Sequence, residues 1–161
     1  MSPHRTGLAE LAGRAPAMRA EFDTSFAEVP AAVVLDLEDV LAIRLGDEER
    51  LITLDEVARV TSRPAITALP TFHPAMIGVV SDRGSLAAVW DLALLLGLPA
   101  QSPDWLVVPS AEPGLAITFE HFAGFRRVES ARIGDEERLR LADLVRLVRD
   151  RAGAQNEGDP R

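Results

Sequence analysis

From residue 39 onward, short apolar runs alternate with turn residues along the chain. Runs of this length that are rich in β-branched and large apolar residues predict strands. The predicted strands cover residues 40–45, 76–80, 86–90, 105–108, 115–119 and 122–129, and alternation is only partly kept in the similarly apolar segment 50–61. Many short strands at this spacing are typical of a sandwich or of small barrels, and they disfavour a doubly wound α/β fold.

Proline and glycine mark the connections between these strands. Residues 64–74 contain three prolines, which cannot donate ladder hydrogen bonds, so this segment is predicted to be irregular. Residues 82–84 form a predicted turn, and Pro113-Gly114 suits a type II turn. Asp91 is a predicted N-cap for a short helix over residues 92–96.

Both ends of the chain differ from this pattern. An apolar stripe at helical spacing runs through Leu8, Leu11, Ala15, Met18 and Phe22, and it suits docking to a partner or, more ordinarily, packing on the chain's own domain. Residues 143–151 carry an apolar helical face. We therefore expect an N-terminal extension over 1–38 that is partly helical or disordered, one domain over 39–152 ending in a helix, and a disordered tail over 153–161.

The composition narrows the classes of function. The net charge is −8, and all 17 basic residues are arginine. Nucleic-acid binding requires cationic surface, so no nucleic-acid partner is expected. Cysteine and lysine are both missing, which excludes thiolate metal sites, cysteine nucleophiles and Schiff-base chemistry. Charges in residues 1–22 and prolines in the longest uncharged stretch, 64–81, predict a cytoplasmic protein without a signal peptide or direct membrane insertion.

Candidate catalytic chemistry is sparse. His4, His73 and His121 have no second histidine at metal-ligand spacing, and no phosphate-binding glycine loop or nucleophile elbow occurs. The many carboxylates fall mainly in turns, where they are usually solvated. We therefore predict no catalytic residue, no metal and no cofactor, which favours a binding or scaffold role over an enzyme. The alternative is a small β-barrel ligand-binding protein or enzyme that uses scattered carboxylates and a histidine.

The order of features resembles a known family. Residues 40–60 resemble the opening of a CheW-like domain, the fold of the chemotaxis coupling protein, and residues 76–84 resemble its Gly-Val-x-Asn-Leu-Arg-Gly strand and turn. Trp90-Asp91-Leu92 resembles the Val-Asp-Leu that follows. The resemblance implies a mainly β fold of two small five-stranded Src-homology-like barrels packed together. It also implies a non-enzymatic adaptor that links methyl-accepting chemotaxis receptors to the regulatory domain of a CheA-type histidine kinase.

The resemblance also implies candidate protein-binding residues on one strand. Val57, Arg59 and Val60 match a family strand whose exposed face contacts the kinase or the receptor. Exposed valines can form the apolar centre of a small interface. Val57 and Val60 suit the core equally well, so both interpretations remain open.

Further candidates lie in and after the next strand. Gly78 and Arg83 match family positions that are associated with receptor binding. The family's Asn-Leu-Arg-Gly reads here as Ser81-Asp82-Arg83-Gly84, so a carboxylate stands beside the arginine. Arg83 offers a planar donor fork to a partner, or it pairs with Asp82 or is solvated. Gly78 either serves binding or allows close strand packing.

Overall fold

The computed structural model describes residues 32–154. Residues Asp36–Arg161 form a compact unit of their own, and the fold below is that of its described part. The predictions for residues 1–31 and 155–161 lie outside the described range. Neither helix within that range is long and apolar enough to cross a membrane.

Eight strands carry most of the fold, and each predicted strand has a counterpart among them. The 50–61 segment divides at a 3-10 turn, Leu54–Glu56, because no single alternation spans it. The strands are β1 Leu37–Leu45, β2 Glu48–Thr53, β3 Val57–Ser62, β4 Met76–Asp82, β5 Ser85–Asp91, β6 Trp105–Pro109, β7 Leu115–Phe119 and β8 His121–Glu129.

Two α-helices complete the described part. The short helix α1, Leu92–Leu95, begins directly after β5, and Asp91 Oδ1 accepts the Leu94 N–H at 3.1 Å, which confirms the predicted cap. The C-terminal helix α2 spans Leu141–Ala154. It includes Gly153 and Ala154, so the predicted tail does not begin at residue 153.

The strands form two sheets. The smaller is antiparallel in the order β2-β1-β8, and the larger has the order β3-β6-β7-β5-β4 with a parallel β5–β7 pair. The mainly β fold with two sheets and a C-terminal helix is confirmed. Within residues 32–154, strand pairing gives three and five strands rather than five and five, and neither sheet closes through backbone hydrogen bonds. Single bridges extend them, Leu51–Arg138 on the smaller and Thr67–Val79 on the larger.

Three apolar clusters follow from the alternation along the strands. The second cluster lies on one face of the five-stranded sheet, and the third lies on one face of the three-stranded sheet. The main cluster joins the opposite faces of both sheets to the two helices. Its buried members include Leu41, Ile43, Ile52, Trp90, Leu92, Leu95, Val107, Ile117, Phe119, Leu141 and Leu144. One shared core and one smaller core per sheet are what two packed, curled sheets require.

Glu56 links the 3-10 turn to the C-terminal helix. Its two carboxylate oxygens accept the N–H groups of Leu141 and Ala142, each at 3.3 Å. These are among the first N–H groups of α2, which lack partners within the helix. The negative charge of Glu56 at this end also interacts favourably with the positive end of the helix dipole. The contact fixes where α2 leaves the sheets.

Ion pairs tie the three-stranded sheet together. Glu38 on β1 accepts from Arg138 at 2.8 Å, and Asp39 accepts from Arg127 of β8 at 2.7 Å. The hydrogen bonds from Arg138 are the main cause that lowers the pKa of Glu38 to about 2, and the Arg127 hydrogen bond lowers the pKa of Asp39. The carboxylates of this sheet therefore hold their charge through specific arginine partners.

Candidate protein-interaction site

The hairpin between β4 and β5 presents Arg83 at its tip. Asp82 pairs with Ser85, which leaves a two-residue turn of Arg83 (φ 48°) and Gly84 (φ 84°). Positive φ at both central residues is the type I′ geometry, whose twist matches that of the flanking strands. Glycine adopts it freely, whereas arginine does so at a conformational cost. The predicted turn is confirmed, and it holds the Arg83 side chain exposed to solvent.

Asp82 pairs with Arg59, not with Arg83. The Asp82 carboxylate on β4 forms an ion pair with the Arg59 guanidinium on β3, and the side chains are 15% and 32% exposed. Arg83 forms no ion pair with a carboxylate in residues 32–154. The proposed pairing of Arg83 with its neighbour is therefore wrong, and its guanidinium is open to a partner.

The Arg59–Asp82 pair also joins the two edges of the five-stranded sheet. Strands β3 and β4 stand at opposite ends of the pairing order, so an ion pair between them requires the sheet to curl. The curl encloses the second cluster, whose buried members are Ala87, Val89, Leu106, Val108 and Ala116. Side chains thus bring together two edges that backbone hydrogen bonds leave apart. We call this line between β3 and β4 the seam.

Gly78 lies beneath a neighbouring segment. It is buried, its φ is 153°, and a Cβ at this position would stand 2.2 Å from the carbonyl oxygen of Thr67. Thr67 exchanges backbone hydrogen bonds with Val79 at 2.8 and 2.9 Å, which holds it there. The structure therefore explains this glycine by close packing. Gly78 shapes the strand beside the hairpin and offers no surface of its own.

The two valines of β3 are half-buried. Val57 and Val60 pack against the main cluster, and neither is fully exposed or fully enclosed. Both valines therefore contribute mainly to the core, and part of each side chain remains exposed at the surface. A more exposed apolar side chain lies at the hairpin, where Leu86, the second residue of β5, is 70% exposed. Leu86 pairs across the hairpin with Ser81, close to Arg83.

Two residues that the sequence did not single out line the seam. Thr61 and Arg63 join Arg59 around a cavity of about 220 Å³ that also contacts Val80, Ser81 and Leu106. Arg63 has φ 48°, although the residue before a proline is usually extended. No local pattern marks these residues, because the cavity forms only when β3 meets β4.

The histidines do not gather into a catalytic arrangement. His73 Nδ1 accepts the Ala75 N–H at 3.1 Å, and its ring lies 5.1 Å from that of Trp90, which is a structural use. His121 is exposed beside a cavity whose Glu49 carboxylate is engaged by Arg126. Within residues 32–154, no group of three or more potential metal ligands occurs. His4 lies outside that range.

Comparisons with known proteins point to one family. The CheW-like domain model matches residues 39–149. The chain is 31% identical over 65 residues to the probable chemotaxis protein CheW of Rhizobium etli. The aligned stretch covers 40% of this chain and 42% of that protein. The chain thus spans less than half of the length of this curated relative.

A solved structure shows the same fold. The scaffolding protein TtCheW from Thermoanaerobacter tengcongensis superposes with a TM-score of 0.52 at 15% identity, over 58% of this chain and 67% of that one. At this identity the likeness concerns the fold alone. The family match covers more than half of the sequence, including both sheets and most of α2. The chain therefore belongs to the CheW-like domain family.

Proposed function

We propose that this protein is a non-enzymatic adaptor that couples methyl-accepting chemotaxis receptors to the regulatory domain of a CheA-type histidine kinase. It acts in the cytoplasm as a scaffold in chemotaxis-like signal transduction. Membership in the CheW-like family supports this role. The role requires protein-binding surfaces rather than a reaction centre.

The observation that carries the proposal is the open hairpin tip. A strained turn holds Arg83 in solvent, and the carboxylate of its chain neighbour Asp82 is engaged by Arg59. An unpaired arginine can donate bidentate hydrogen bonds to a carboxylate or to helix-end carbonyls. Leu86 adds apolar area next to it. A cation with an apolar neighbour is the composition typical of an interface anchor.

Strand β3 supplies the second part of the proposed surface. Val57, Arg59 and Val60 place a half-buried apolar and basic strip at an edge of the five-stranded sheet. Gly78 contributes indirectly by seating β4, and Asp82 contributes by holding Arg59 in place. We assign the hairpin tip to the receptor and the β3 edge to the kinase or the receptor.

Size-exclusion chromatography tests the proposal with purified components. The full chain is mixed with the cognate kinase's regulatory domain and, separately, with a soluble receptor fragment that contains the cytoplasmic tip. Co-migration with either protein supports the adaptor role. If folded samples at tens of micromolar show no complex with either protein, the adaptor role is contradicted.

A further inference from the structure

The cavity at the seam is lined by an unusual set of side chains for so acidic a protein. Its polar lining consists of Arg59, Thr61, Arg63 and Ser81, over apolar contacts from Val80 and Leu106. The protein carries a net charge of −8, yet Asp82 is the carboxylate that meets these arginines among the described residues. A local cationic site on an acidic protein selects an acidic partner group. We call this cavity the seam groove.

Arg63 is held in a strained conformation at this groove. Arg63 and Arg83 are the two non-glycine residues with positive φ in residues 32–154, and each directly follows one of the two strands at the seam. The Arg63 N–H donates to the Asp104 carbonyl at 2.7 Å, which secures its backbone. Strained residues that are kept in place by their surroundings concentrate at binding sites. Arg63 has no ion-pair partner among the described carboxylates.

The size of the groove limits what it can hold. Its volume is about 220 Å³, whereas pockets for small-molecule ligands span roughly 300–1,000 Å³. A single side chain fits this volume better than a whole metabolite does. The planar guanidinium forks favour a carboxylate over other polar groups. The hydroxyls of Thr61 and Ser81 offer two further donors.

We propose that the seam groove receives one acidic side chain of a partner protein, which Arg63 binds directly. Asp82 occupies Arg59 in the free protein, so it competes with the incoming carboxylate for that arginine. This inference names the chemistry of the partner at the proposed adaptor surface and rests on that function. It predicts opposite effects for two variants, since removing Arg63 weakens binding and neutralising Asp82 strengthens it.

An NMR titration with a small-molecule probe tests whether the groove binds a carboxylate when no protein partner is present. The probe is N-acetylglutamate N-methylamide, its neutral control is the glutamine analogue, and the protein is the full chain. We expect saturable shifts of the Thr61, Arg63 and Ser81 amides with the acid alone. Equal shifts with both probes, or shifts spread over exposed arginines such as Arg44 and Arg140, would overturn the inference.

Three variants test which residues of the groove bind the probe. Arg63→Gln should weaken probe binding about tenfold, which corresponds to the loss of one charge-assisted pair. Asp82→Asn should strengthen it, and Arg140→Gln, an exposed arginine outside the groove, should leave it unchanged. Near-ultraviolet circular dichroism verifies that each variant is folded. Equal affinity in the wild type and Arg63→Gln would reject the role of Arg63.

The same variants separate this inference from the adaptor role. If the wild type and Arg63→Glu co-migrate equally with both partner proteins, the groove is not the docking point and the adaptor role stands. If the wild type binds neither partner while the acidic probe still binds the groove, the adaptor role fails and the carboxylate site remains. A probe-binding groove together with a weakened Arg63→Glu complex supports both.

Discussion

Three arginines on or beside the three-stranded sheet differ from two at the rim of the five-stranded sheet in whether a carboxylate binds them. On the three-stranded sheet, Arg126, Arg127 and Arg138 each bind a specific carboxylate. At the hairpin and seam of the five-stranded sheet, Arg63 and Arg83 have no described carboxylate and sit in left-handed conformations. Paired charges serve the fold, whereas unpaired and strained ones are available to a partner. This contrast is the reason that we propose the interaction surface at the five-stranded sheet.

The largest expected effect concerns two glycines, one in each sheet. Gly78 and Gly124 both have positive φ, but a Cβ at Gly78 would overlap Thr67 whereas none of the atoms around Gly124 lies within 4 Å of its Cβ position. We expect Gly124→Ala to lower the free energy of unfolding by about 1 kcal/mol. Gly78→Ala should cost about 3 kcal/mol, because backbone must also move. Urea denaturation measures both values, and equal losses would refute the packing role of Gly78.

The second effect is on binding, and it compares two exposed arginines. Arg83→Glu should weaken the complex with the receptor fragment about tenfold or more, because an interface cation becomes a repelling anion. The matched change, Arg127→Glu on the three-stranded sheet, should leave the complex intact. Isothermal titration calorimetry with the same fragment measures both. An equal loss in the two variants would mean that net charge, rather than the hairpin tip, governs binding.

The sequence predicts the local parts of this surface well. The turn at residues 82–84 and the cap at Asp91 follow from residues that are adjacent in the chain, and both are confirmed. The strands also follow from local apolar patterns. Several strand ends differ from the predicted ones by one to three residues, and β1 begins at Leu37, inside the predicted extension. A 3-10 turn divides the 50–61 segment, and the C-terminal helix α2 continues to Ala154.

The parts that failed depend on which strands meet. The sequence left open whether Asp82 pairs with Arg83, and its partner in the structure, Arg59, lies on a strand that is distant in the sequence. Nothing in the periodicity says that β7 pairs with β5, or that the edges β3 and β4 approach each other. The choice between packing and binding at Gly78 likewise needed the position of Thr67. Long-range pairing is set by the whole fold, so the seam groove could not be found from sequence alone.

The third effect compares two ion pairs by double-mutant cycles. Arg59–Asp82 is partly buried and joins two sheet edges, whereas Arg127–Asp39 is more exposed and joins adjacent strands. Partial exposure limits both coupling energies. We expect a coupling of about 1 kcal/mol for the first pair and a smaller coupling for the second, from alanine variants in denaturant. A coupling near zero for Arg59–Asp82 would remove its role in joining the edges.

The smallest effect is a dependence of stability on pH that belongs to the three-stranded sheet. The pKa of Glu38 falls from 4.5 to about 2 chiefly because Arg138 hydrogen-bonds its charged form. A lowered folded-state pKa contributes stability above the unfolded value, and that contribution is lost as the pH falls through the folded value. Stability should therefore decline from about pH 4.5 toward pH 2, and the lowered pKa of Asp39 adds to the decline.

Glu38→Gln isolates this contribution. The variant should be less stable than the wild type at pH 7, and the difference should shrink as the pH falls below 4.5. Glu136 is an exposed carboxylate without an ion pair among the described residues. The stability of Glu136→Gln should therefore change with pH as the stability of the wild type does. Thermal melts across this range measure both variants. A constant difference between Glu38→Gln and the wild type would show that the contribution of Glu38 to stability does not depend on its charge. That result would weaken the contrast between the paired arginines Arg126, Arg127 and Arg138 and the unpaired Arg63 and Arg83.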